Sequence, residues 1–219
     1  MEINLMDLMA KVETSEVKIS LNAHLEKGVI LGYMTGRKIE NTLLVIGKDA
    51  YIRTGSIIYC GSKIGNNFQT GHNVIIREQN AIGDKVSVWS NSIIDYGCKI
   101  GNNVRIHSNV YIAQYTEIGE DSFLAPGVTI ANDPHPICAE CMRGPTIGAR
   151  VKIGVNCTFL PKITIGDDSL IGAGTVVTKD IPANSVVVGN PGRIIGKASE
   201  LKCKYGDKAL AYPYLSKGE

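Results

Sequence analysis

An all-β solenoid is the fold class this sequence predicts, and three observations predict it. The pair Ile-Gly recurs at Ile46, Ile64, Ile82, Ile100 and Ile118, eighteen residues apart, and returns at Ile147 and Ile165. Within each eighteen an aliphatic residue recurs every six: Ile46, Ile52, Ile58, Ile64, Ile76, Ile82, Val88, Ile94, Ile100, Ile106, Ile112, Ile118, Leu124 and Ile130, with Thr70 the one exception. Gly is abundant, at 24 residues, while aromatics make up 6%, so turns are frequent and the core is aliphatic. Such fixed periodicity is the mark of a repeat column.

A period of six fits neither an amphipathic helix nor a plain alternating strand. It fits a short strand plus a tight turn, repeated. The fourth residue after each Ile is small or β-branched, as at Ala50, Ser56, Ser62, Val74, Val86, Ser92, Cys98, Val104, Val110 and Val128. Side chains alternate across a strand, so that residue and the next aliphatic, two positions on, share the inward face. Turns such as Gly-Asn-Asn at Gly65 and Gly101 lie between strands, where Gly and Asn accept positive φ. Three hexads make one triangular coil. Coils beginning at residues 46, 64, 82, 100, 118, 147 and 165 form a prism roughly 30 Å long at ~4.8 Å per layer. Cys98 and Cys157 take small inward positions and read as core fillers.

Bulk properties bound the function. With 44% hydrophobic and 20% charged residues, the 219-residue chain is ordinary for a globular protein. It shows no apolar run of membrane-spanning length and no basic, apolar leader at its start, which predicts a cytoplasmic protein without a membrane partner. In that compartment the six Cys stay reduced. Ten Lys/Arg against five Asp/Glu between Arg143 and Lys208 concentrate positive charge near the C-terminal end. No dense basic tract interleaved with aromatics accompanies them, so a small polyanion fits better than nucleic acid.

The rhythm breaks once along the hexad series. After Ile118 the next coil is due at residue 136 but starts at Ile147, so eleven residues are inserted after Ile130. The inserted stretch contains Asn132-Asp133-Pro134-His135-Pro136-Ile137-Cys138-Ala139-Glu140-Cys141. Loops extruded from rigid scaffolds commonly carry function. Imidazole is the side chain most often used for proton transfer, which suits His135 to that task. Cys138 and Cys141, at CxxC spacing with His135 beside them, suit a soft metal such as a structural zinc. The two roles compete, because a ligating His135 is not free as a base.

From Val29 to Lys197 the chain resembles the hexapeptide-repeat acyltransferases. That resemblance implies a left-handed parallel β-helix of about seven coils with one extruded loop and short caps. It divides the chain into an N-terminal cap (1–28), a β-helix domain (29–197, with the loop at 131–146) and a C-terminal tail (198–219). The segment Val-Thr-Ile-Ala-Asn-Asp-Pro-His-Pro, ending at Pro136, is similar to the one that carries the general base in galactoside and maltose acetyltransferases; the resemblance implies that role for His135. Asn132 and Asp133 resemble the Asn-Asp of amino-sugar N-acetyltransferases from surface-polysaccharide pathways, which nominates both for acceptor binding and leaves hydroxyl and amine acceptors open.

Downstream, the stretch from Ile171 to Lys197 resembles the coenzyme A groove of the same enzymes. The resemblance implies acetyl-CoA as donor, with Ala173, Thr178 and Lys179 lining it, and Gly154, Val155 and Gly172 belonging to the same groove. Small residues let a pantetheine arm lie near the backbone, and Lys179, Arg193 and Lys197 are suited to its phosphates. Gly196 stands where relatives carry a basic residue. Arg105 and His107 stand where they carry Asn for the acceptor, so Arg105, His107 and Asn109 are nominated for a sugar acceptor of this chain's own kind. The family further implies a homotrimer with each acceptor site between two prisms. Two other readings use the same architecture: a zinc hydratase of the γ-carbonic anhydrase type, disfavoured because His72 and His107 fall two coils apart, and a non-catalytic scaffold, which predicts no coenzyme A binding.

Overall fold

The computed structural model describes residues 11–12, 16–138, 140–204 and 209–216. Its strands are mostly two residues long, with the first side chain outward and the second inward, as in Ile75–Ile76, Ser87–Val88 and Lys99–Ile100. Each hexad aliphatic from Ile46 to Ile130 is buried, as is each small residue two positions before it. Thr70, the exception in the series, is buried too, and its Oγ1 lies 3.3 Å from that of Ser56. Burying one such aliphatic side chain is worth about 1.5–3 kcal/mol, and the ladders Ile58–Ile76–Ile94–Ile112 repeat that gain from coil to coil.

Strands pair in parallel with those eighteen residues on, as in Ile82↔Ile100 and Ile106↔Leu124. Among the described residues this gives faces of nine, eight and ten strands. The chain visits them in that order, so each coil crosses all three and encloses one aliphatic core. The result is a left-handed parallel β-helix.

Turn chemistry differs in detail from the sequence expectation. Positive φ falls on the second Asn of each Gly-Asn-Asn turn, Asn67 (55°) and Asn103 (57°). The Gly answers a different need: a Cβ on Gly65 would stand 2.6 Å from the Gly83 carbonyl carbon of the next coil. Glycine there sets the closeness of the layers.

Two runs of successive pairings depart from eighteen by many residues. Ile118 pairs with Ile147, 29 residues on, which accounts for the excursion after Ile130. Leu44 pairs with Val17, 27 residues back, so a second excursion, residues 34–42, leaves the column between Ile30–Tyr33 and Leu44–Ile46. Both leave from the junction between the nine-strand and eight-strand faces. Sequence periodicity, counted from Ile46, missed the first.

The ends behave as follows. Lys11–Val12, Val17–Ile19 and His24–Leu25, within the segment expected to cap the prism, pair in parallel with the coil above. Val17, Ala23 and Leu25 pack partly buried against the core. At the far end Arg193–Lys197 pairs antiparallel with Ser185–Val188 and is the last strand of the ten-strand face, covering the edge of Ser185–Val188. The tail returns along the column, where Tyr212 and Tyr214 meet edge to face at 6.0 Å and sit beside Arg150, Lys152 and Asp168. Tyr205 of the same tail lies outside the described residues. No helix is long and apolar enough to cross a membrane among the described residues.

Candidate active site at a junction of two faces

A row of side chains at eighteen-residue spacing climbs the junction from which both excursions leave: Glu78, Tyr96, Gln114 and Asn132. The second excursion starts at the top of that row. Its neck is closed by Arg143 N–H donating to the Asn132 carbonyl (2.7 Å) and Gly144 N–H to the Gln114 carbonyl (3.0 Å). Asn132 Nδ2 donates to Gln114 Oε1, and Gln114 Nε2 donates to Asp95 Oδ2 at 2.6 Å. Asp95 also accepts from Tyr111 Oη (3.0 Å) and faces Arg77 Nη1 (3.6 Å). Burial, and then the Asp95 charge, push the Tyr111 phenol up to about 12, so it stays a donor. A polar chain therefore runs from the wall of the column into the base of the loop.

At its lower end lies Glu78, fully buried. Its carboxylate accepts from Thr35 Oγ1 (2.9 Å), Arg37 Nη1 (3.2 Å) and Arg77 Nε (3.0 Å). Burial alone would raise its pKa, but the bonds from Arg77, its own backbone N–H and Thr35, with the Arg77 charge, hold it below the ordinary value. Arg37 also lies 3.5 Å above the Tyr96 ring, whose hydroxyl points 3.7 Å from Met142 Sδ in the second excursion. Tyr96 thus stands between the two excursions.

The tip of the second excursion is organised by Asp133. Its Oδ1 accepts the His135 N–H (3.1 Å) and its Oδ2 the Cys138 N–H (2.8 Å), while Cys141 N–H closes a turn onto the Cys138 carbonyl (3.2 Å). His135 is exposed and Cys138 and Cys141 half-buried. One ligand atom from each lies within 4.8 Å of the others. Asp133 therefore orients the loop, and its carboxylate is already engaged by two backbone donors.

The other nominated residues fall elsewhere. Arg105 and His107 lie on the ten-strand face, in a depression shared with Trp89 and Phe123. The His107 ring sits 6.3 Å from Trp89 and 6.1 Å from Phe123, and its buried Nδ1 has no hydrogen-bond partner among the described residues. Asn109, Val155 and Ala173 occupy the junction between the ten-strand and nine-strand faces, with Gly154 and Gly172 just before it. Thr178 and Lys179 follow Val176–Val177 and share the junction of His135. Arg193 and Lys197 are exposed on the closing strand. Within one chain, the candidate groove residues are split between two edges of the nine-strand face, and His135 is on only one of them. Of the row Glu78–Tyr96–Gln114–Asn132 sequence reasoning named Asn132 alone; the other three and the Arg37 clamp escaped it, although the row's eighteen-residue spacing was a signal.

The chain is similar to known proteins over much of its length. The family model described as "Bacterial transferase hexapeptide (six repeats)" matches residues 81–114, 97–132 and 144–179. The Saccharomyces cerevisiae protein named "Putative acetyltransferase YJL218W" is 39% identical over 182 residues, covering 80% of this chain and 72% of that one. Galactoside O-acetyltransferase of Escherichia coli is 40% identical over 88 residues, 37% of this chain, and the match spans only 43% of the relative's length. Among solved structures, LpxA from Acinetobacter baumannii aligns at a TM-score of 0.51 and 18% identity, covering 86% of this chain and 75% of that one. The polySia-specific acetyltransferase NeuO aligns at 0.51 and 22%, covering 83% and 80%. The last two bear on the fold alone.

Proposed function

We propose that this chain, which belongs to the hexapeptide-repeat family of acyltransferases, moves an acetyl group from acetyl-CoA to a hydroxyl or amine of a sugar, including nucleotide-linked amino sugars. The observation that carries the reading is the second excursion: an exposed imidazole, His135, on a loop whose tip is oriented by Asp133 and whose base is tied into the column through Asn132. The thioester supplies an activated acyl carbon. His135 accepts the proton of the acceptor as its oxygen or nitrogen attacks that carbon, and returns the proton to the departing thiolate as the C–S bond breaks. Asn132 and Asp133 hold the acceptor side of the loop.

A homotrimer supports this chemistry better than a single chain. His135, Thr178 and Lys179 share one junction, whereas Gly154, Val155, Gly172 and Ala173 gather at the other. Packing prisms side by side sets one chain's first junction against its neighbour's second. Pantetheine then lies along the small residues near Ala173, its phosphates reach the basic groups Lys179, Arg193 and Lys197, and the neighbour's Arg105, His107 and Asn109 face the acceptor. The test is incubation of the protein with labelled acetyl-CoA and a panel of free and nucleotide-linked sugars and amino sugars. Acceptor-dependent label transfer is the expected result. Absence of both transfer and coenzyme A binding would favour the non-catalytic scaffold.

A further inference from the structure

We propose that His135, Cys138 and Cys141 form a binding site for a soft divalent cation of the zinc class, with three protein ligands and a fourth position open to water. The three donor atoms lie within 4.8 Å of one another before any ion is present. Tetrahedral zinc, with Zn–S near 2.3 Å and Zn–N near 2.0–2.1 Å, sets its donors about 3.3–3.8 Å apart. Closing onto an ion therefore takes about 1 Å of movement, and the side chains that move are exposed or half-buried.

The backbone needed for this is already set. Cys141 N–H bonds to the Cys138 carbonyl at 3.2 Å, which shapes the CxxC turn. Asp133 ties the amides of His135 and Cys138 to a single carboxylate, so the first two ligands are held together by a group that is not itself a ligand, and the Cys138–Cys141 turn carries the third. Preorganisation of this kind lowers the ordering cost of binding. Two sulfurs and an imidazole select zinc-class ions over magnesium or calcium, which prefer oxygen. The buried thiols of Cys60, Cys98 and Cys157 belong to the core of the column and do not compete for the ion. Among the described residues no fourth His, Cys, Asp or Glu joins the cluster.

One consequence rests on the reading of His135 as a base. A ligated neutral imidazole gives one nitrogen to the metal and carries its proton on the other, so it cannot accept the acceptor's proton. Occupancy and acetyl transfer then exclude each other, and the loop acts as a metal-sensitive brake.

The test uses reduced, chelator-stripped full-length protein titrated with cobalt(II) and then zinc. The expected result is one cobalt per chain with thiolate-to-metal charge-transfer absorption that zinc abolishes. Cys138→Ser/Cys141→Ser should lose more than about 100-fold in affinity, Cys141→Ser alone should weaken the band, and Cys203→Ser should leave it in place. Absence of the band in the unaltered protein, its survival in the double variant, or conversion of the pair to a disulfide in the presence of metal would overturn the proposal. No substrate enters this titration, so its failure leaves the base assignment to be judged on turnover alone.

Discussion

The two excursions leave the same junction of the column and are built in opposite ways. Residues 34–42 fold back against the wall, where Thr35 and Arg37 reach the buried carboxylate of Glu78 and Arg37 covers Tyr96. Among the described residues the second excursion is tied to the column at its neck and by Tyr96 against Met142, and its tip bonds to itself through Asp133 while His135 stays open to solvent. A loop whose charges are spent on the scaffold stabilises the scaffold. A loop that keeps an imidazole and two thiols unspent, yet holds their backbone still, has them available for a ligand. The difference teaches where to look for chemistry on an otherwise repetitive surface.

The largest expected contrast is in thiol reactivity. Burial pushes the Cys98 thiol up to about 12, so its thiolate is scarce at pH 8 and the core shields it, whereas Cys138 and Cys141 are half-exposed. Alkylation followed by mass spectrometry should label the loop pair at least about 1,000-fold faster than Cys98; equal rates would mean that the column opens as readily as the loop. Next, His135→Ala should lower turnover by about 100-fold or more with the unfolding midpoint unchanged. Normal turnover in that variant would place both excursions in the same structural class.

Glu78→Gln should do the reverse, costing about 1–3 kcal/mol of stability by leaving Arg37 and Arg77 without their shared acceptor charge. The Glu78 pKa is depressed on folding from its ordinary value of 4.5. Its contribution is therefore fully present above that value and disappears as pH falls through the lower folded one. Chemical unfolding of both proteins across this acid range should show their stabilities converging; a constant gap would mean that the carboxylate charge is not the source. Smallest is Arg37→Ala. Its guanidinium is partly exposed, so its loss should cost about 0.5–1.5 kcal/mol, and thermal unfolding coupled to proteolysis should show residues 34–42 released first.

Much of the column could be read from spacing alone, because inward positions must recur at the period of the coil. The hexads from Ile46 to Ile130 are all buried, and even the polar Thr70 keeps its place by sharing the interior with Ser56. The second excursion was legible for the same reason, as a shift of eleven in a series of eighteens. The first left the same kind of signal, since Ile19, Leu25 and Leu31 recur every six residues and the next member of the series, Ile46, comes fifteen on; it was missed because the count began at Ile46. Of the candidate site, the sequence nominated His135 and its neighbours. The Glu78–Asn132 row was hidden because its members differ in type, and only stacking of successive coils makes them one surface. Likewise, counting places Arg105 on a face, and only the folded column shows that His135 leaves from a junction which that face does not border.

The central claim, that the second excursion delivers His135 to a thioester docked on a neighbouring copy, is tested most directly by mixed assemblies. His135→Ala chains and chains blocked in the groove by Ala173→Trp are each expected to be inactive. Co-assembled at equal ratio, they should regain about one quarter of the unaltered activity, because one pairing in four joins an intact base to an intact groove across an interface. Activity that stays at the level of the separate variants in verified mixed trimers would contradict it.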